Sequence, residues 1–338
     1  MFINLSLFLI NMAKKTKAIV MISGGLDSRL AVKLLQDLGV EVIGLHFTLP
    51  FGSGCCNFMC SWKFLQLEGV KMEAVDCTKG KNFDEFIDLI KKPKFGHGVG
   101  MNPCIDCRIF ILRKAKDFMK KYKADFIATG EVLNERPMSQ HRNALDIVEK
   151  ESGLKGKLLR PLSAKLLPET DAEKKGLIDR NKLLDIQGRQ RKVQIELAKK
   201  YKITYPSPGG GCLLCEKEYV KKLGDLFANQ KKISPEDLEL LKLGRQFRIG
   251  KSRIIVGRNK EENDALERLA KKIRAKVLEC KGVVGPITLL IGDAEKEAAE
   301  LTALYSDAAK QGLKEVIVSK SKINISKIDK DNLMKLKL

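Results

Sequence analysis

Tryptophan and histidine are almost missing from this chain of 338 residues, which has one Trp, three His and an aromatic content of 6%. Readout of nucleic-acid bases by stacking needs an aromatic platform, so this poverty points any such contact toward phosphates and shape. His46 lies in an apolar strand-like segment, and His97 and His141 lie in polar loops. None is spaced from a cysteine as a metal ligand would be, so structural or surface roles are expected. Long apolar runs are absent too, since nothing approaches the ~20 residues that cross a bilayer. The apolar start, Met1 to Asn11, has no basic opening and no small-residue cleavage site, and Lys14, Lys15 and Lys17 follow it. It reads as an extension over residues 1–12, either disordered or an upstream start before Met12, and a cytoplasmic protein is expected.

Acidic residues are in deficit. Lys and Arg number 63 against 42 Asp and Glu, a net charge of +21. Residues 241–338 hold 22 basic and 13 acidic residues, or +9, which leaves +12 for residues 1–240. A positive field spread along the whole chain raises the local concentration of polyanions, nucleic acid foremost. The hydrophobic share of 44% and charged share of 31% are those of a folded globular protein. The length allows more than one domain.

Cysteine, by contrast, is plentiful and grouped. Of nine, Cys55, Cys56 and Cys60 form one group, Cys104 and Cys107 a second, and Cys212 and Cys215 a third. Cys77 and Cys280 stand alone and read as small buried hydrophobes. In a reducing cytosol, grouping of this kind favours metal or catalytic roles over structural disulfides.

Apolar runs separated by helical spacing organise the first two thirds. Ala18–Ile22, Val40–Phe47, Glu73–Val75 and Phe126–Thr129 read as strands. Helical spacing follows Asp27 up to Gly39, and again over Cys107–Lys121. This alternation predicts an α/β fold with a doubly wound parallel sheet, whose ligands bind at the carboxyl ends of the strands. Residues 154–202 look polar and basic, with one helix over Arg189–Lys200, and a Pro/Gly stretch over 205–211 delivers Cys212. After a helical, charged linker, Phe247–Gly257 reads as a hairpin followed by helix, strand, helix and the strand Glu315–Ser319. The expected division is a catalytic domain over 13–230, a linker over 231–244, a smaller α+β domain over 245–320, and a loosely ordered basic tail over 321–338.

Between the first strand and first helix lies Ser23-Gly24-Gly25-Leu26-Asp27-Ser28. Two glycines let the backbone turn tightly against a phosphate, and the helix N-terminus adds partial positive charge. The Gly-Lys-Ser/Thr ending of the common triphosphatase loop is absent, so the γ-phosphate and Mg²⁺ must be handled otherwise. Asp27 reads as a solvent-facing carboxylate at the helix start. The motif resembles that of the PP-loop ATP pyrophosphatases, which implies that Ser23, Gly24, Gly25, Asp27 and Ser28 cradle the pyrophosphate of ATP, with Asp27 positioning phosphates or Mg²⁺.

Asn102-Pro103-Cys104-Ile105-Asp106-Cys107 and the turn Ala128-Thr129-Gly130 resemble elements of tRNA thiouridine synthases within that class. The resemblance implies a nucleotide site lined at Gly130 and sulfur chemistry at Cys107. A cysteine near a helix N-terminus has its thiolate favoured by the dipole. Cys104, Cys107 and the distant Cys212 are similar to the triad that holds a [4Fe–4S] cluster in some thiouridine synthases, with one iron open to hydrosulfide. Zinc held by Cys104, Cys107, Cys212 and Cys215 is an alternative, as is a metal-free persulfide shared by Cys107 and Cys212. Roles for Cys55, Cys56 and Cys60 stay open between sulfur transit, zinc and structure. Asn134–Arg142, polar and basic, is placed to line an RNA path.

Ile255-Val256-Gly257-Arg258-Asn259-Lys260-Glu261-Glu262-Asn263-Asp264 resembles the opening of the RNA-binding domain of NFACT-type proteins, which implies RNA contact by the C-terminal region. Together these resemblances imply an ATP-dependent tRNA sulfurtransferase, with hydrosulfide or a cysteine desulfurase as sulfur donor. The rivals are a PP-loop synthetase or amidotransferase acting on a small metabolite, and a non-catalytic RNA-binding protein.

Overall fold

A computed structural model describes residues 15–52, 58–206, 211–307, 315–318, 321–324 and 328–338. The extension over 1–12, Cys55 and Cys56 lie outside the described residues. The chain divides into two compact units between Cys212 and Leu213.

The first unit contains β1 (Lys17–Met21), α1 (Leu26–Asp37), β2 (Glu41–Thr48), α2 (Phe58–Leu67), β3 (Lys71–Asp76), α3 (Gly80–Lys91), α4 (Cys104–Lys121), β4 (Phe126–Ala128), α5 (Arg142–Ser152), β5 (Leu158–Leu159), α6 (Asp171–Lys174) and α7 (Lys192–Lys200). Its five strands pair in the order β3-β2-β1-β4-β5, all parallel. Alternation along β1 explains the double winding. Ala18 and Val20 face a core shared with Leu30 and Leu34 of α1 and Ala198 of α7. Ile19 faces the opposite core, shared with Ile109 and Leu112 of α4 and Val148 of α5. Side chains on successive strand residues point to opposite faces, so a nearly continuous apolar strand feeds two helix layers.

Residues 154–202, expected to be polar, differ from that reading. Leu158, Leu159, Leu162, Ile178, Leu183 and Ile186 are all buried. Their spacing follows neither a helical nor a strand period, because short turns and 3₁₀ segments carry them into the core.

The second unit opens with a 3₁₀ turn, Leu213–Cys215, followed by α8 (Lys217–Asn229), α9 (Pro235–Leu241), β6 (Arg245–Ile249), β7 (Ser252–Val256), α10 (Lys260–Ile273), β8 (Lys276–Glu279), β9 (Thr288–Ile291), α11 (Glu295–Leu304), β10 (Glu315–Val318), β11 (Ser321–Asn324) and α12 (Lys330–Lys335). Its sheet runs β11-β10-β8-β9-β7-β6, antiparallel throughout. Two strands rather than one separate α10 from α11.

The expected linker is structured. Ser234 and Asp237 form a reciprocal cap at the start of α9, and Leu238, Leu240 and Leu241 are buried. The expected loose tail is also tied down. Leu333 joins the core, the Leu338 amide donates to the Gln246 carbonyl at 2.9 Å, and the Arg248 amide donates to that of Leu336 at 3.0 Å. Lysines recur along this tail, but the apolar residues between them pay for its order by packing. Among the described residues no helix is long and apolar enough to cross a membrane.

His46, on β2, is buried and hydrogen-bonded to the Ile22 carbonyl at 3.1 Å, with its ring edge-on to Phe58. Burial lowers its pKa, partly offset by that carbonyl. The unfolded chain protonates His46 near about 6.5, and the folded chain only at lower pH. In that window the unfolded state binds more protons, so stability falls as pH drops below about 6.5. Thermal melts from pH 7 to about 5.5 should show this slope, and His46→Gln, which does not titrate, should flatten it.

Candidate active site

The turn from β1 into α1 is closed by its own hydroxyls. Ser28 Oγ donates to the Gly25 carbonyl at 2.8 Å, while the Ser23 amide and Ser23 Oγ each lie 3.3 Å from Ser28 Oγ. Gly24 takes φ +85°, a left-handed conformation that a side chain would strain. No side chain caps α1, so the first-turn amides are left for an anion.

Against this turn packs the end of β4. A Cβ on Gly130 would lie 2.5 Å from the Asp27 carbonyl carbon and oxygen and from the Ser28 nitrogen. Thr129-Gly130 and the Ser23–Ser28 loop therefore form two walls of one cradle at the carboxyl edge of the sheet. The same edge receives Cys212, which bridges to Gly52 just beyond β2.

Cys104 and Cys107 sit one turn apart at the start of α4. Asn102 Nδ2 donates to Cys104 Sγ at 3.2 Å, and the Asp106 carboxylate accepts the Lys94 and Phe95 amides at 2.9 and 3.0 Å. Burial above all pushes the Cys107 thiol up to about 12; Arg108 pulls it back, and Cys212 and Cys104 push it further up. Burial at Cys107 thus opposes the dipole-stabilised thiolate expected there. The three cysteines expected to act together do share one neighbourhood. Cys60, on α2, accepts from Arg29 Nη2 at 2.9 Å, and Cys215 is exposed in the second unit. Cys77 and Cys280 are buried, as the sequence suggested.

Residues 16–152 match the family of the tRNA methyl transferase HUP domain, and residues 244–335 that of the NFACT protein RNA binding domain. The first unit has the fold of a PP-loop HUP domain. Among curated relatives, the chain is similar to the tRNA-specific 2-thiouridylase MnmA of Karelsulcia muelleri, 31% identical over 140 residues that cover 38% of this chain and 34% of the relative. It is likewise similar to MnmA of Clostridium kluyveri, 31% identical over 150 residues covering 37% of this chain and 39% of the relative. The chain thus spans little more than a third of the length of these relatives. A solved 4-thiouridine synthetase–RNA complex with bound ATP is similar over 55% of this chain and 40% of its own, at 18% identity and a TM-score of 0.38, a score too low to carry an argument.

Several residues of the HUP domain's site were not legible in the sequence. Arg191, just before α7, reaches Asp27 with Nη2 to Oδ2 at 2.6 Å and Glu135 with Nε to Oε1 at 3.4 Å. Asp27 is therefore not the solvent-facing carboxylate expected, because a residue 164 positions away covers it. Its Oδ1 is buried with no hydrogen-bond partner. Directly after Gly130, the buried Glu131 meets Arg160 Nε at 3.1 Å, Thr129 Oγ1 at 3.1 Å and Arg108 Nε at 3.5 Å. Burial opposes the Glu131 carboxylate, but Arg108 and Arg160 hold it below its ordinary range. This network ties the nucleotide turn to the helix that carries Cys107.

ATP and Mg²⁺ fit the residues present, given an uncapped helix start, the turn at Gly130 packed directly on the backbone of the loop, and the unpartnered Asp27 Oδ1. Among the described residues, no group of three or more His, Cys, Asp or Glu side chains is arranged to hold a metal ion.

Gly130→Ala should abolish ATP binding, because the new methyl meets backbone and not a yielding side chain. Overpacking of this kind costs about 1–3 kcal/mol. Calorimetric titration with ATP, alongside a thermal melt, checks both; tight ATP binding in the variant would refute the cradle.

Proposed function

We propose that the chain is an ATP-dependent tRNA thiouridine synthase whose sulfur passes through Cys107 and Cys212. The observation that supports this most directly is the meeting, at one sheet edge, of a phosphate cradle with a pair of cysteines close enough to raise each other's cost of ionisation. Small-metabolite ligation has no use for such a pair beside the nucleotide. MnmA from Karelsulcia muelleri and Clostridium kluyveri, similar over the nucleotide-binding part, are named as tRNA-specific 2-thiouridylases, which agrees with this reading.

In the proposed reaction a uridine carbonyl oxygen attacks the α-phosphorus of ATP held at Ser23–Ser28, and pyrophosphate leaves; Asp27 would hold the Mg²⁺ that offsets phosphate charge. The base must be flipped out of its stack to enter the cradle. A persulfide on one of the two cysteines then attacks the adenylated carbon, and AMP departs. The second cysteine attacks the inner sulfur of the resulting Cys–S–S–C linkage, which releases the thiouridine and leaves a Cys107–Cys212 disulfide. An external dithiol reduces it, and a donor of sulfane sulfur, such as the persulfide of a cysteine desulfurase, passes its outer sulfur to the freed thiol and leaves as a thiol.

The second unit supplies RNA contact in this reading. Of the NFACT-like decapeptide, Asn259 caps α10 by accepting the Glu262 amide at 2.9 Å, Arg258 pairs with Glu262, and Asn263 Oδ1 accepts the Ile287 amide at 3.1 Å. The motif thus builds the corner from β7 to α10, and the exposed Lys251, Lys260, Arg268, Lys271 and Lys272 around it are left for phosphates. Binding of bulk tRNA should weaken at least about a hundredfold between about 50 and 200 mM salt, as counterion release requires. A flat salt response in a filter-binding assay would remove the electrostatic footing of the RNA assignment.

Cysteine variants and metal analysis test the sulfur route. Protein purified without oxygen should be colourless and free of iron and zinc; Cys104→Ala should keep thiolation, while Cys107→Ala and Cys212→Ala lose it. Brown protein with about four irons per chain, and loss of activity in all three variants, would replace the persulfide with a cluster.

A further inference from the structure

Phosphate loops ordinarily set a cation against the phosphates they bind, and Ser23–Ser28 contains none. Arg29, the nearest in sequence, is buried and faces away from the cradle. Its Nε donates to the Gly24 carbonyl at 2.8 Å, Nη1 to the Thr204 carbonyl at 2.6 Å, and Nη2 to Cys60, while the guanidinium lies 4.8 Å from the Phe64 ring centre. With four of its five N–H donors so engaged, Arg29 shapes the loop.

The cation that does reach the loop is Arg191. Its backbone neighbourhood is fastened beside the nucleotide turn, because Gln187 bridges to Leu133 and the Gly188 amide donates to the Leu133 carbonyl at 2.7 Å. The side chain then spans two carboxylates, Asp27 at 2.6 Å and Glu135 at 3.4 Å. Burial first, and the Asp27 charge second, push Glu135 above its ordinary range, with Arg191 pulling it back. Two acids thus share one guanidinium, whose Nε makes no hydrogen bond.

We propose that Arg191 is the cation of the nucleotide site: it pairs with Asp27 while the site is empty, and is placed to turn its guanidinium onto the β- and γ-phosphates of bound ATP, which would free the Asp27 carboxylate to hold Mg²⁺. Glu135 keeps the side chain over the loop during the exchange. A guanidinium presents a planar fork that matches phosphate oxygens, and the charge that gathers on departing pyrophosphate is what it stabilises. The role rests on the ATP-dependent reading above and names the residue that replaces the missing loop lysine.

The test uses the full chain and two readouts: calorimetric binding of inorganic pyrophosphate with Mg²⁺, and pyrophosphate release from ATP in the presence of bulk tRNA. Arg191→Ala should bind Mg-pyrophosphate at least about tenfold more weakly and release pyrophosphate about 100-fold more slowly, as loss of one charge-stabilising donor does elsewhere. Arg191→Lys should recover part of both, and added guanidinium ion at low concentration should speed Arg191→Ala but not the parent. Unchanged pyrophosphate affinity in Arg191→Ala, or in Arg191→Gln should the alanine variant not fold, overturns the role of Arg191 alone. A parent protein that neither binds Mg-pyrophosphate nor releases it overturns the ATP reading, and this proposal with it.

Discussion

The nucleotide site depends on a missing side chain. Gly130 brings the end of β4 so close to the start of α1 that a methyl group would overlap the Asp27 carbonyl and the Ser28 nitrogen. Because the obstructing atoms are backbone, neither wall can yield without moving a strand or a helix. Around that contact the Ser23–Ser28 loop is closed by its own hydroxyls, Asp27 meets Arg191, and the buried Glu131 follows directly behind the turn.

Glu131 gives that contact a second consequence. Buried charges are costly unless paired, and removal of one partner leaves the others stranded. Here Arg160 holds Glu131 and also meets Glu149 of α5 at 3.1 Å, while Arg108 approaches from the residue next to Cys107. The nucleotide turn, the helix of Cys107 and α5 are thereby joined through charge as well as through the apolar core beneath α4. Burial pushes the Cys107 thiol up, and Arg108, the next residue, is the group that pulls against that burial.

In the second unit, residues that look like ligand-binding charges are largely occupied with the fold. Arg253 is buried against Gln246 and Asp237, and burial lowers its pKa to about 10; Arg248 forks onto Asp225 at 2.5–3.1 Å. The basic residues available to a polyanion are those on the exposed side of α10 and the turns beside β7. Net charge alone overstates how many take part.

The sequence by itself determined the parallel α/β core, because apolar strands and helical spacing are local properties, and it marked the Ser23–Ser28 turn, whose glycines and hydroxyls act within six residues. It also marked Cys107, Cys212 and Gly130, each through a short motif. It did not reveal α3, although Phe83, Phe86, Ile87 and Ile90 carry a helical period, nor the order of α9 and the C-terminal tail, where charge masks the apolar positions. Only the tertiary structure decided what surrounds the motifs: Arg191 on Asp27 from 164 residues away, Arg160 on Glu131 across 29, and the desolvation that opposes ionisation of Cys107. Ion pairs and burial are made between segments whose separation along the chain carries no local signal, so no spacing or period could have announced them.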